Sequence, residues 1–160
     1  MAIDDADLLA RMRARLAPTA ALLGMDLLEL DSTLGRAKFR MLCAPQFCNP
    51  MGNLQGGIIA TALDDAAATA IIAQAGRRVG VPTIEFKVSF FGPAPMNSSV
   101  FAEGRVVKFG RTITFAQADL SDEAGKLLAR LTTSVMVVDV DGPGHFVDTG
   151  HVPDKGQNPQ

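Results

Sequence analysis

Tryptophan and tyrosine are missing from this sequence, and 160 residues contain only two histidines and two cysteines. Without tyrosine there is no phenol to serve as an acid, and without either residue only phenylalanine can stack. Both histidines, His145 and His151, fall in the stretch DGPGHFVDTGHVPDKGQNPQ. Its glycines, prolines and polar groups predict a poorly ordered tail, so a Ser-His-Asp triad or an imidazole base is poorly supported. Cys43 and Cys48 have no second pair, which argues against both a zinc site and a disulfide framework and fits a reducing cytoplasm. No Walker-type phosphate loop is present. Fifteen basic against seventeen acidic residues leave a net charge of -2, a poor match to nucleic acid. The longest apolar run is broken at its centre by Asp64 and Asp65, so no membrane span is expected. Asp4, Asp5 and Asp7 stand where a signal peptide would be basic.

The length suits one domain with a sizeable core. Hydrophobic residues make up 48% and mean hydropathy is +0.19, which suggests apolar surface shared between subunits. Residues 4–16 read as a short amphipathic helix with acids first and arginines last, broken by Pro18. Residues 24–31 and 35–42 read as a hairpin around Ser32, Thr33, Leu34 and Gly35. Residues 43–56 form a loop, and a nearly uncharged helical pattern runs from Ile58 to about Ala75. Residues 83–91 alternate, with Ile84, Phe86, Val88 and Phe90 on one side and Glu85, Lys87 and Ser89 on the other. Three further strands follow at residues 99–108, 111–120 and 126–139, giving a predicted four-stranded meander. The organisation is thus an N-terminal helical segment (residues 1–23), one α+β domain (24–140) in which a curved sheet wraps a long helix, and a tail (141–160).

Chemistry concentrates around NPMGNLQGGIIATALD, residues 49–64. The glycines Gly56 and Gly57 leave backbone N–H groups open to a ligand at a helix N-terminus. Asp64 and Asp65 are the only charges of the helical pattern, and a carboxylate on a buried helix is costly unless paired or used. With imidazole, zinc and phenol set aside, a carboxylate and a helix N-terminus remain. Those parts suit hydrolysis of an activated acyl group: the carboxylate activates water or attacks, and an N–H polarises the carbonyl. Gly56 and Asp64 are about 12 Å apart along a helix axis at roughly 1.5 Å per residue, too far to serve one carbonyl. If both act on the same carbonyl, Gly56 of one chain meets Asp64 of another across a twofold axis.

The segments NPMGNLQGGIIATALDDAAATA, PTIEFKVSFFGPA, VVKFGRTITFAQADLSDEAGKLLA and TTSVMVV resemble hotdog-fold acyl-CoA thioesterases of the phenylacetate-degradation (PaaI-like) type, over roughly residues 45–138. The resemblance implies a hotdog fold, dimers with a continuous sheet and usually tetramers, an acyl-CoA substrate, and no metal or cofactor beyond the substrate's own coenzyme A. It assigns Asp64 as general base or nucleophile, Gly56 as the backbone donor, Asn49 as a polar residue near the carbonyl or water, and Thr83 as a hydroxyl beside the attacking water. Gln55 and Gly57 flank the donor. Phe90, Phe91, Gly92 and Pro93 match the pantetheine tunnel, and Lys108, Phe109, Gly110 and Arg111 match the turn that contacts coenzyme A. One departure stands out: many relatives carry His where this chain has Gln55, and Gln cannot relay a proton. A non-catalytic acyl-CoA binder is therefore the alternative, with a hydratase or dehydratase third for want of a placed histidine. Core packing accounts equally well for Phe47, Met51, Phe90 and Met96, and Lys108 and Arg111 are equally readable as solvated strand-end charges. Asp65 is assigned a helix-surface or loop-capping role, and both cysteines are read as small packing residues.

Overall fold

The structure, a computed structural model, describes residues 4–140. The expected tail with His145 and His151 lies outside the described residues. Its organisation follows from one helix, α3 (Gly56–Ala75), whose side chains Ala62, Leu63, Ala66, Ala67, Ala70 and Ile71 are at most 1% exposed. Alanines on the buried side let the sheet approach closely. A Cβ on Gly104 would sit 2.1 Å from the Ala66 carbonyl oxygen, so glycine alone fits at that crossing. By length and composition α3 could also cross a membrane, but the sheet packed against it accounts for its apolar character.

The sheet comprises β1 (Asp26–Asp31), β2 (Arg36–Leu42), β4 (Thr83–Phe90), β5 (Ser99–Lys108), β6 (Ile113–Asp122) and β7 (Leu127–Met136). The two-residue strand β3 (Val79–Gly80) pairs with β8 (Val138–Asp139) in a separate ladder. In the main sheet the order is β1-β2-β5-β6-β7-β4, antiparallel throughout. The hairpin β1–β2 and the expected strands are present. The expected four-stranded meander is not: β5, β6 and β7 form a three-stranded one, while β4 crosses over to pair with β7 as an edge strand. The crossover lets β5 pair with β2, so the hairpin and the meander close into a single sheet around α3.

The N-terminal segment also differs from expectation. Helix α1 is Asp5–Arg13, capped by the Asp4 carboxylate accepting from the Ala6 N–H at 3.2 Å. Pro18, read as a breaker, instead begins a second helix, α2 (Pro18–Leu22), at the first helical position, where its missing N–H costs nothing. Arg13 donates from Nε to the Leu27 carbonyl at 2.7 Å and from Nη2 to the Leu28 carbonyl at 3.3 Å. The Asp5 carboxylate accepts from the Ser32 N–H at 3.1 Å.

On β4 the alternation is real but its apolar side is only half covered. Phe86, Val88 and Phe90 lie opposite Thr133, Leu131 and Ala129, which face the core. Phe86 and Phe90 nevertheless remain 48% and 54% exposed, because at the sheet's edge they project beyond the helix. A bulge between Thr83 and Glu85 displaces Ile84 from the alternation.

Candidate functional site

The helix begins two residues earlier than the apolar pattern suggests: Gly56 and Gly57 are its first two residues and Gln55 its N-cap. Gln55 makes no side-chain cap. Its carbonyl accepts from the N–H groups of Ile58 and Ile59, both at 3.0 Å, and its own N–H donates to the Phe47 carbonyl at 3.0 Å. Within the described residues the Gly56 and Gly57 N–H groups thus remain without a partner, pointing out of the positive end of a long helix. Two strips of backbone hold this end. Leu54 N–H donates to the Ala94 carbonyl and Met96 N–H to the Gly52 carbonyl, each at 2.8 Å, joining the loop before the helix to the segment after β4. The Phe91 and Gly92 N–H groups both donate to the Leu128 carbonyl. Pro93 sits exposed beyond them.

Asn49 works inside that loop. Its Oδ1 accepts from the Met51 and Asn53 N–H groups at 3.0 and 3.2 Å, so only its amide NH2 is left to meet a substrate. The Phe90 ring abuts the first helical residue: a Cβ on Gly56 would lie 3.2 Å from Cζ. Met51, Phe90 and Phe91 are all more than half exposed around this end, an apolar rim to two unpaired N–H groups.

Two turns along the helix, Asp64 accepts a hydrogen bond from the Thr83 hydroxyl at 3.4 Å. Burial pushes the Asp64 carboxyl above its ordinary pKa, and the Thr83 hydrogen bond pulls back only part of that rise. Asp65 turns the other way and accepts from the Thr19 hydroxyl of α2 at 2.7 Å. Its pKa is raised by burial and by the charge of Asp64, with Thr19 opposing. Asp65 therefore caps no backbone N–H among the described residues but ties α3 to α2 through a side-chain hydroxyl, and Thr19 had no signal in the sequence that could have marked it. Thr61, one turn before Asp64, donates its hydroxyl to the Gly57 carbonyl at 2.9 Å and so faces the same stripe.

Lys108 ends β5, and Phe109, Gly110 and Arg111 lie in the turn that leads on to β6, with both cations exposed. Thr83 pairs with Val135, and Val135 with Thr114, so one row across the sheet places this turn at the Asp64–Thr83 end. The expected site residues therefore gather in two groups. Asn49, Gln55, Gly56, Gly57, Phe90, Phe91, Gly92 and Pro93 surround the helix N-terminus; Asp64 and Thr83 lie elsewhere, with the turn at their end of the sheet. Thr83 and Phe90 are opposite ends of one strand, about 23 Å apart at roughly 3.3 Å per residue. Among the described residues no three metal-ligating side chains cluster. Cys43 is fully buried, and burial pushes its thiol pKa up, which suits packing rather than nucleophilic attack.

Comparison with known proteins gives these groups a context. The thioesterase superfamily model matches residues 51–129, a span containing both the helix N-terminus and Asp64. Acyl-coenzyme A thioesterase 13 of Mus musculus is 27% identical over 113 residues, 67% of this chain and 80% of that protein. The solved structure of a thioesterase family protein from Silicibacter pomeroyi is 30% identical, with a TM-score of 0.73 over 86% of this chain and all of that one. The E. coli PaaI protein from the phenylacetic acid degradation operon shares the fold at TM-score 0.73 and 20% identity, over 86% of this chain and 95% of its own.

Proposed function

The chain belongs to the thioesterase superfamily, and we propose that this thioester hydrolase acts on a small or medium aryl- or fatty-acyl-CoA at sites shared between two protomers. The observation that carries this reading is the separation of the two groups. An unpaired pair of N–H donors and a carboxylate of raised pKa stand on one helix, about 12 Å apart at roughly 1.5 Å per residue, where one carbonyl cannot meet both. Two antiparallel copies of α3 would bring Gly56 of one protomer to Asp64 of the other, twice per dimer. The free edge of β4 and the uncovered Phe86 and Phe90 are a surface on which such a partner would sit.

In the proposed reaction the thioester carbonyl oxygen accepts from the Gly56 N–H, with Asn49 and Gln55 nearby. Asp64 of the other protomer takes a proton from water as the water oxygen bonds to the carbonyl carbon, or attacks that carbon itself to give a mixed anhydride that water then cleaves to the free acid and Asp64; in either course the C–S bond breaks and coenzyme A leaves as thiolate. Thr83 holds Asp64 in place. Phe90 to Pro93 flank the pantetheine arm, and Lys108 and Arg111 take the phosphates. The reaction needs no metal, and no cofactor other than the coenzyme A of the substrate.

Complementation tests the shared site. Asp64→Ala and Gly56→Pro chains are each expected to be inactive in thiol release from acyl-CoA esters. Unfolding and reassembling them together should restore activity, since one of the two sites in each mixed dimer inherits both intact groups. Mixed dimers that stay inactive while wild-type protein recovers would refute the cross-protomer site.

A further inference from the structure

The turn between β5 and β6 is fastened from inside the core. Thr114 is fully buried, yet valine would fill the same space without a polar atom. Its hydroxyl oxygen accepts the Gly110 N–H at 3.2 Å. The chain doubles back tightly there, since a Cβ on Gly110 would lie 2.1 Å from the Ile113 carbonyl oxygen. The Val137 N–H donates to the Thr112 carbonyl at 2.8 Å and ties the far side of the turn to the end of β7. A bulge between Val106 and Lys108 re-aims the strand just before the turn. Thr114 also stands in the row that contains Val135 and Thr83, so the residue that fastens the turn shares its register with the residue that holds Asp64.

We propose that Thr114 is a positioning residue for the nucleotide half of the substrate. The inference rests on the reading above in which the turn meets coenzyme A: by holding Gly110, Thr114 keeps Lys108 and Arg111 at a fixed offset from the Thr83 row. The thioester half does not use it.

The test compares one acyl group carried on coenzyme A and on N-acetylcysteamine, which has no phosphates. Thr114→Val should raise KM for the coenzyme A ester roughly tenfold at unchanged kcat, the cost of one unmade buried hydrogen bond. Its kcat/KM on the N-acetylcysteamine ester should match wild type, and Thr114→Ser should restore the coenzyme A ester. Equal losses on both esters, or no loss on either, would overturn the proposal. A Lys108→Ala, Arg111→Ala double variant separates the layers. If it treats both esters alike, the turn does not meet coenzyme A and the role of Thr114 falls with it. If it discriminates while Thr114→Val does not, only the role of Thr114 falls. Should Thr114→Val prove insoluble, Thr114→Ala removes the same acceptor with a smaller side chain, and absence of a selective rise in KM there also overturns the proposal.

Discussion

The two halves of the candidate site lie on one helix but are built from different material. At the N-terminus of α3 the candidate groups are main-chain N–H donors, left open by the absence of a side-chain cap and framed by Phe90, Phe91 and Met51. At mid-helix the candidate group is a side chain, Asp64, kept half-buried with one hydroxyl for company. The first half carries no titratable group, and its fitness depends on backbone path and shape. The second depends on protonation, and burial raises its proton affinity against the stability of the fold. The two halves should accordingly answer to different perturbations.

The largest effect is expected at mid-helix. Asp64→Asn keeps the shape and removes the base, and kcat for acyl-CoA hydrolysis should fall about 10²- to 10⁴-fold. A carboxylate must be ionised to act, so wild-type activity should fall as pH drops through the raised pKa. Thr83 stabilises the ionised form, so Thr83→Val should move that acidic limb to higher pH. A limb that stays in place would show that Asp64 is not the titrating group.

A smaller effect is expected at the helix N-terminus, and it should be steric. Gly56→Ala is conformationally harmless in a first helical turn, but its methyl would press on Phe90 at 3.2 Å. Its kcat/KM should drop roughly tenfold at every pH, and a second change, Phe90→Leu, should recover most of the loss. A pH-dependent defect in Gly56→Ala would erase the distinction between the halves.

The smallest effect is on stability. The folded-state pKa of Asp64 lies above its ordinary value of 3.8, so folding binds protons there and stability is lost as pH rises through the folded pKa. Asp64→Asn removes that loss. In thermal unfolding the variant should match wild type near pH 4 and exceed its Tm by a few degrees at pH 7, the gap opening across the raised pKa. An equal gap at both pH values would point to a packing change instead.

Local sequence made the elements legible and left their neighbours hidden. The α3 pattern, the hairpin and the β5–β6–β7 meander follow from periodicity and turn residues, which act within a few positions. The place of β4 does not, because its alternation would suit either side of the meander; the pairing with β7 is decided by which strand can reach the open edge after α3. Alternation likewise marks Phe86 and Phe90 as an apolar side without saying what covers them. At the site, the spacing of Gly56 and Asp64 was readable because a helix converts residue count to distance. The pairing of Asp65 with Thr19, 46 positions away, was not, since it depends on Pro18 starting a helix rather than ending one. Asn49 was legible as a polar loop residue, but not the two N–H groups that occupy its oxygen.

The N-terminal helix has a bearing on how far copies of this protein can assemble. Every open sheet has two borders at which another chain can add. Here Arg13 occupies the carbonyls of Leu27 and Leu28, and Asp5 the N–H of Ser32 just past the strand, so α1 blunts part of the border at β1. No such cover from α1 reaches the border at β4 among the described residues. Joining through β4 would leave each copy's remaining border partly occupied, which works against extension into a fibre.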